Sequence, residues 1–115
     1  MRDVLRIFKA LSDETRLRIL NLLLQRECCV YEVMRAMRIS QSRTSRNLGI
    51  LYDAGLVKAR RNGLWVLYSI NEEAVEKSYA GLAEVIGNAL NGDKVAALHR
   101  ERLKRQCERC HAQAG

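Results

Sequence analysis

A mainly α-helical domain carrying one small β-hairpin is what this 115-residue sequence predicts, and three observations predict it. Apolar residues recur at i, i+3, i+4 spacing through most of the chain. One stretch, "LVKARRNGLWVLYSI", changes instead to β-rich alternation around Asn62-Gly63, a dipeptide that favours a type I′ hairpin turn. The chain has no proline, so only short polar breaks and glycines divide the helical text.

The elements follow in order. In "RDVLRIFKAL", Val4, Leu5, Phe8 and Leu11 fall at helical spacing and make an amphipathic first helix. In "SDETRLRILNLLLQ", Ser12 or Asp13 can accept the unpaired N–H groups of a helix start. Leu17, Ile19, Leu20, Leu23 and Leu24 then form a wide apolar stripe. "CVYEVMRAM" is a shorter third helix with Val30, Val33, Met34 and Met37 inward. Arg38-Ile39 makes a tight connection, and Ser40 caps a fourth helix, "QSRTSRNLGILYDAG", that buries Leu48 and Leu51. Gly55 is its natural stop. In the hairpin, Trp65, Leu67 and Ser69 share one face; Val66, Tyr68 and Ile70 share the other. From Asn71 the chain is helical again, with Val75, Leu82, Val85, Ile86 and Leu90 apolar, until Gly92. Residues 1–92 are therefore expected to form one domain. Residues 93–115 are expected to be a partly helical tail that holds a cysteine pair, with His99 and His111 facing solvent.

Charge gives this order of elements a function. The chain carries 20 Lys and Arg against 13 Asp and Glu, a net charge of +7. Arg35, Arg38, Arg43, Arg46, Lys58, Arg60 and Arg61, opposed only by Asp53, hold nearly all of that excess within residues 35–61. Clustered basic charge is the electrostatic footprint of nucleic-acid binding. Helix, short helix, tight turn, helix with an exposed polar start, then a basic hairpin is the order of a winged helix-turn-helix. The start of the fourth helix offers Gln41, Ser42, Arg43, Ser45, Arg46 and Asn47. Gln and Asn can bond adenine in pairs, Arg can do the same with guanine, and Ser can bond phosphate or base. Lys58, Arg60 and Arg61 sit beside the hairpin turn, placed for phosphates or the minor groove. The expected partner is double-stranded operator DNA. Apolar faces on the first helix and on residues 72–90, beyond what a small winged domain uses, predict a homodimer reading a two-fold site. No apolar run approaches the ~20 residues of a membrane span and no signal peptide is visible, so a cytoplasmic protein without membrane contact is expected.

At these residues the chain resembles the ArsR/SmtB family of bacterial repressors. "KALSDETRLRILNLLL" is similar to that family's opening helices, "SQSRTSRNLGILYDAGLV" to its recognition helix and exit, and "RRNGLWVLYSI" to its wing. The likeness covers about residues 4–70, with a family-like dimer helix after it. Two departures are visible: Glu14 replaces a proline frequent in the family, and Asn47 replaces a common histidine, which bears on the operator read.

The four cysteines, Cys28, Cys29, Cys107 and Cys110, take their meaning from that resemblance. In a cytoplasmic chain, cysteine pairs point to metal binding or redox chemistry rather than a disulfide framework. Arsenic-sensing relatives carry a thiolate box at the third helix, and "ECCVYEV" is similar to a shifted version of it. Cys29 keeps the first family cysteine, Tyr31 stands where the second would be, and Met34 where a third sometimes is. Cys28 is an addition, and Cys107 with Cys110 can complete a site. Soft thiolates select thiophilic ions, so As(III) or a related ion is the inducer the resemblance implies, with no organic cofactor. A helix start beside Cys28 and Cys29 would lower their thiol pKa values. Adjacent helical residues point ~100° apart, so the expected site joins Cys107 and Cys110 to one of the pair, Cys29 by preference.

The cysteines admit other readings. Cys29 can be apolar filler and the tail pair incidental. Reversible disulfides or persulfides remain open. Zinc-sensing relatives use Asp and His on the dimer helix, but residues 72–90 contain neither. "CERCH" matches c-type haem attachment, yet it follows a DNA-binding domain without an export signal. A CxxC thiol oxidoreductase lacks its βαβ context, and nothing resembles a nucleophile–base–orienter set. The chain is therefore expected not to be an enzyme.

Overall fold

The computed structural model describes residues 2–74 and 81–106. The elements run α1 (Arg2–Leu11), α2 (Glu14–Gln25), β1 (Cys28–Cys29), α3 (Val30–Met37), α4 (Gln41–Asp53), β2 (Val57–Asn62), β3 (Trp65–Ile70), α5 (Leu82–Asn91) and α6 (Lys94–Arg105). Helix starts follow local chemistry. Asp13 rather than Ser12 caps α2, accepting the Arg16 N–H at 3.0 Å, and the Ser40 hydroxyl accepts the Arg43 N–H at 3.2 Å to start α4. Between α3 and α4 the chain reverses through Arg38, whose φ of 55° and ψ of 48° lie in the left-handed region. Gly55, at φ 80°, ends the exit from α4, a backbone a side chain would strain.

The core sits between α2, α3, α4 and the sheet. Ile19, Leu22, Val33, Leu48, Leu51 and Leu56 are all essentially inaccessible to water. Burial of this kind stabilises by roughly 25 cal/mol per Å² of apolar surface, so these side chains hold the helix-turn-helix in place. The first helix departs from expectation. Its core face is Ile7 and Ala10, while Leu5 and Phe8 are 52% and 60% exposed on the single chain.

Three further differences matter. The hairpin pairs Asn62 with Trp65, so its two-residue loop is Gly63-Leu64, not Asn62-Gly63. Only Gly63 has positive φ there, the pattern of a type II′ turn. The cysteines Cys28 and Cys29 lie before α3 rather than in its first turn. They form a third strand, in the order β1-β3-β2, with Cys28 opposite Tyr68 and Cys29 opposite Leu67. The helix expected from Asn71 to Gly92 does begin there, with residues 72–74 helical and the Asn71 side chain accepting the Ala74 N–H at 3.3 Å, but α5 starts anew at Leu82 after Gly81 at φ 87°; Val75 lies outside the described residues.

The chain after Gly92 forms α6, and it is well anchored. Asp93 caps it, accepting the Ala96 N–H at 2.8 Å and pairing with Arg18 at 3.2 Å. Arg100 donates to the Asn21 side chain at 2.8 Å, and Ala96 and Leu103 are buried. His99, a solvent-facing residue by sequence, is instead buried in this contact, because its helix phase matches Ala96 and Leu103. His111 lies outside the described residues.

Burial first, then the charges of Arg18 and Arg102, hold the His99 imidazole below its ordinary pKa, with Asp93 opposing them. The unfolded chain therefore binds a proton that the folded chain resists. This contribution to stability is complete above the ordinary histidine value of about 6.5 and is lost as pH falls below it. Thermal melts between pH 8 and pH 5 should show the midpoint falling on acidification. A His99→Gln protein should lose that part of the slope; an unchanged slope would mean His99 is not the group.

Candidate functional site

Two groups of side chains on this scaffold are candidates for function, one exposed and one buried. The first begins with the α4 start. Helix phase turns Thr44, Asn47, Leu48 and Leu51 toward the core and leaves Gln41, Ser42, Arg43, Ser45 and Arg46 exposed. Asn47 thus differs from the other five polar residues expected on the reading face. Its Oδ1 accepts from Arg16 Nη1 at 3.2 Å and its Nδ2 donates to the Arg43 carbonyl at 3.0 Å. Arg16 also bonds the Ala10 and Lys9 carbonyls, so Asn47 ties α4 to the end of α1 rather than offering its amide to a base. Arg43 is held by the Thr15 hydroxyl at 2.9 Å. No sequence signal singled out Thr15, since the contact spans 28 residues.

The wing adds Lys58, Arg60 and Arg61 on an exposed strand. Arg60 is engaged by both carboxylate oxygens of Glu27, at 2.6 and 2.8 Å. This bidentate hydrogen bond raises the Arg60 pKa further above its ordinary value. Glu27 directly precedes Cys28, so a wing arginine is tied to the strand that carries the cysteines. That tie requires β1 to lie beside the hairpin, which periodicity alone does not predict.

The second group surrounds β1. Alternation along a strand sends neighbours to opposite faces, and the two cysteines obey it. Cys28 packs into the main core with Tyr68 and Ile70 close by, whereas Cys29 packs with Leu67 and Trp65 in a separate small cluster. Cys28 is a free thiol that donates to the Arg26 carbonyl at 3.3 Å. Burial, reinforced by the charge of Glu32, pushes its pKa up to about 12. The lowered thiol pKa expected from a helix start is therefore not found at Cys28, because the residue lies in a buried strand before the helix. Cys29 is disulfide-bonded, and its partner is not Cys28. Cys29 also caps α3, its N–H donating to Glu32 Oε1 at 3.0 Å. The acid three residues after the cap is a legible helix-start signature. Glu32, itself buried, also pairs with Arg26. Beside them Tyr31 meets Trp65 edge-on, ring centres 5.8 Å apart.

The C-terminal end of α6 closes this side. Gln106 Nε2 donates to the Glu32 carbonyl at 2.9 Å, and Arg26 Nη2 to the Leu103 carbonyl at 3.4 Å. Cys107 and Cys110 lie outside the described residues. Among the described residues there is no group of three or more His, Cys, Asp or Glu placed to hold a metal ion. No described helix is long and apolar enough to cross a membrane.

A polar helix start projecting from a helix-turn-helix, beside a basic wing, defines the class: a winged helix-turn-helix DNA-binding regulator, not an enzyme. Residues 13–59 match the family described as "Bacterial regulatory protein, arsR family". The arsenic resistance transcriptional regulator ArsR1 of Pseudomonas putida KT2440 is 40% identical over 91 residues, 75% of this chain and 70% of its own. The arsenical resistance operon repressor of Escherichia coli K12 is 35% identical over 106 residues, 90% of this chain and 87% of its own. A homodimeric winged helix-turn-helix domain from Mycobacterium bovis superposes with a TM-score of 0.66 at 38% identity, covering 76% of this chain and 80% of its own. This chain belongs to the ArsR family of transcriptional regulators.

Proposed function

We propose that this protein is a homodimeric cytoplasmic repressor that leaves its operator when As(III), or a related thiophilic ion, binds cysteine thiolates. The reacting set is Cys29, Cys107 and Cys110. The observation that carries this reading is the docking of α6: Gln106, one residue before Cys107, hydrogen-bonds the first turn of α3, which Cys29 caps. Gln106, the last described residue, thus lies against the helix start that Cys29 caps. Cys28 is the weaker candidate, because its thiol faces the core and resists deprotonation. Thiolates are the soft donors that trivalent arsenic prefers, and the relatives named above regulate arsenic resistance. Gln41, Ser42, Arg43, Ser45 and Arg46 are the base-reading candidates, and Lys58, Arg60 and Arg61 the phosphate contacts. The exposed Leu5 and Phe8 support a second copy as partner, as in the homodimeric neighbour.

The test is operator release followed by fluorescence anisotropy on the reduced protein, titrated in parallel with As(III), Cd(II), Zn(II) and an oxidant. Release by As(III) at the lowest concentration is expected. Silence toward As(III) together with release by Zn(II) or oxidant would overturn the assignment.

A further inference from the structure

We infer that α6 carries the inducer signal to the DNA-reading helix, and that Arg102 is the positioning residue through which it acts. The inference rests on the thiol-sensing reading above and adds the route between sensor and operator.

Two contacts hold α6 along α3. Gln106 Nε2 donates to the Glu32 carbonyl at 2.9 Å, and Arg102 Nη1 donates to the Ala36 carbonyl at 3.3 Å. The pairs are four residues apart on each helix and run in opposite directions. At 1.5 Å rise per residue the rungs are ~6 Å apart on both, so the helices lie antiparallel and in register. Leu103, between the rungs, is buried, and its carbonyl accepts from Arg26. An axial shift of α6 therefore strains both rungs together.

The two rungs lie at functionally different places. Gln106 is at the sensor end, beside the residue that Cys29 caps. Arg102 is at the other end, on one of the last four carbonyls of α3, which no N–H within the helix can reach. Its positive charge also suits the negative end of that helix. Ala36 stands two residues before Arg38, the left-handed residue that turns the chain into α4. Arg102 thus supports the last turn of α3 from outside, at the point where the direction of α4 is set. Cys107 follows Gln106 directly in the chain, so a ligand joining it to Cys29 acts on the Gln106 rung, and a packed helix passes a displacement there to Arg102 rather than absorbing it. The element biased by both sites is the turn between α3 and α4.

The coupling can be read as the ratio of operator dissociation constants with and without saturating As(III). As(III) binding is followed separately by the fluorescence of Trp65, the sole tryptophan. Arg102→Met keeps the apolar stem and removes the donors. It should bind As(III) as the native protein does and bind operator within about threefold, while the ratio falls by roughly twofold to thirtyfold. Arg102→Lys retains charge and a donor and should recover part of the ratio. Arg105→Met, on an exposed residue paired only within α6 in the described structure, should keep the native ratio. Native ratios in both Arg102 variants would overturn the inference while leaving the thiol sensor standing. A native protein that As(III) does not release at all would remove both.

Discussion

Cys29→Ser protein is expected to hold its operator as tightly as the native protein and to remain bound at every As(III) concentration. In reduced protein, where the Cys29 disulfide is already open, the substitution is gentle on the fold. Serine matches cysteine in size and is a favoured helix cap, and the backbone N–H that donates to Glu32 Oε1 at 3.0 Å is unchanged. The chemistry, by contrast, is removed, since a hydroxyl is not a soft thiolate at neutral pH. Cys28→Ala should retain the As(III) response, because the Cys28 thiol points into the main core and its pKa stands at about 12. Anisotropy titrations of both variants under reducing conditions decide between them. A responsive Cys29→Ser protein paired with an unresponsive Cys28→Ala protein would invert the assignment.

Arg46→Ala and Arg43→Ala should each weaken operator binding by about 1–3 kcal/mol, roughly fivefold to 150-fold, if their guanidinium groups bond guanine in pairs. Both residues are exposed on the first two turns of α4. The loss should be much smaller on unrelated DNA, where phosphate contacts dominate. Asn47→Ala should behave differently and lower the melting temperature, because it removes the half-buried 3.2 Å hydrogen bond from Arg16 Nη1 that ties α4 to α2. The corresponding cost is about 1–3 kcal/mol. Competition binding with operator and scrambled duplexes, alongside thermal melts, separates these outcomes. Normal operator affinity in both arginine variants would show that α4 is not the reading helix.

Much of the architecture was legible because its signals are local. Asp13 and Ser40 cap helices by bonding an N–H three residues away. Leu48 and Leu51 announce the buried side of α4 by spacing alone. The hairpin was visible in the alternation of Trp65 and Leu67 against Tyr68 and Ile70, and the structure sends those two sets to different clusters. The turn was misplaced by one residue because Asn-Gly preference competes with strand register, and here cross-strand pairing of Asn62 with Trp65 prevails.

The sequence by itself determined the winged helix-turn-helix order, the basic reading face and the presence of two cysteine pairs. Helix periods, caps and charge clusters are properties of neighbouring residues, so they can be read along the chain. Only the tertiary structure decided which of those residues are available to a ligand. It turned Asn47 inward onto Arg16, drew Cys28 and Cys29 into a strand with opposite faces, engaged Arg60 with Glu27 and buried His99 on the inner side of α6. Each of these depends on a partner many positions away: Glu27 lies 33 residues from Arg60, and Asn47 lies 31 residues from Arg16. Such pairings form only when the packing of the apolar faces brings distant segments together. The same packing sets the solvation of each thiol and the geometry of each donor, which is why they were beyond the reach of spacing.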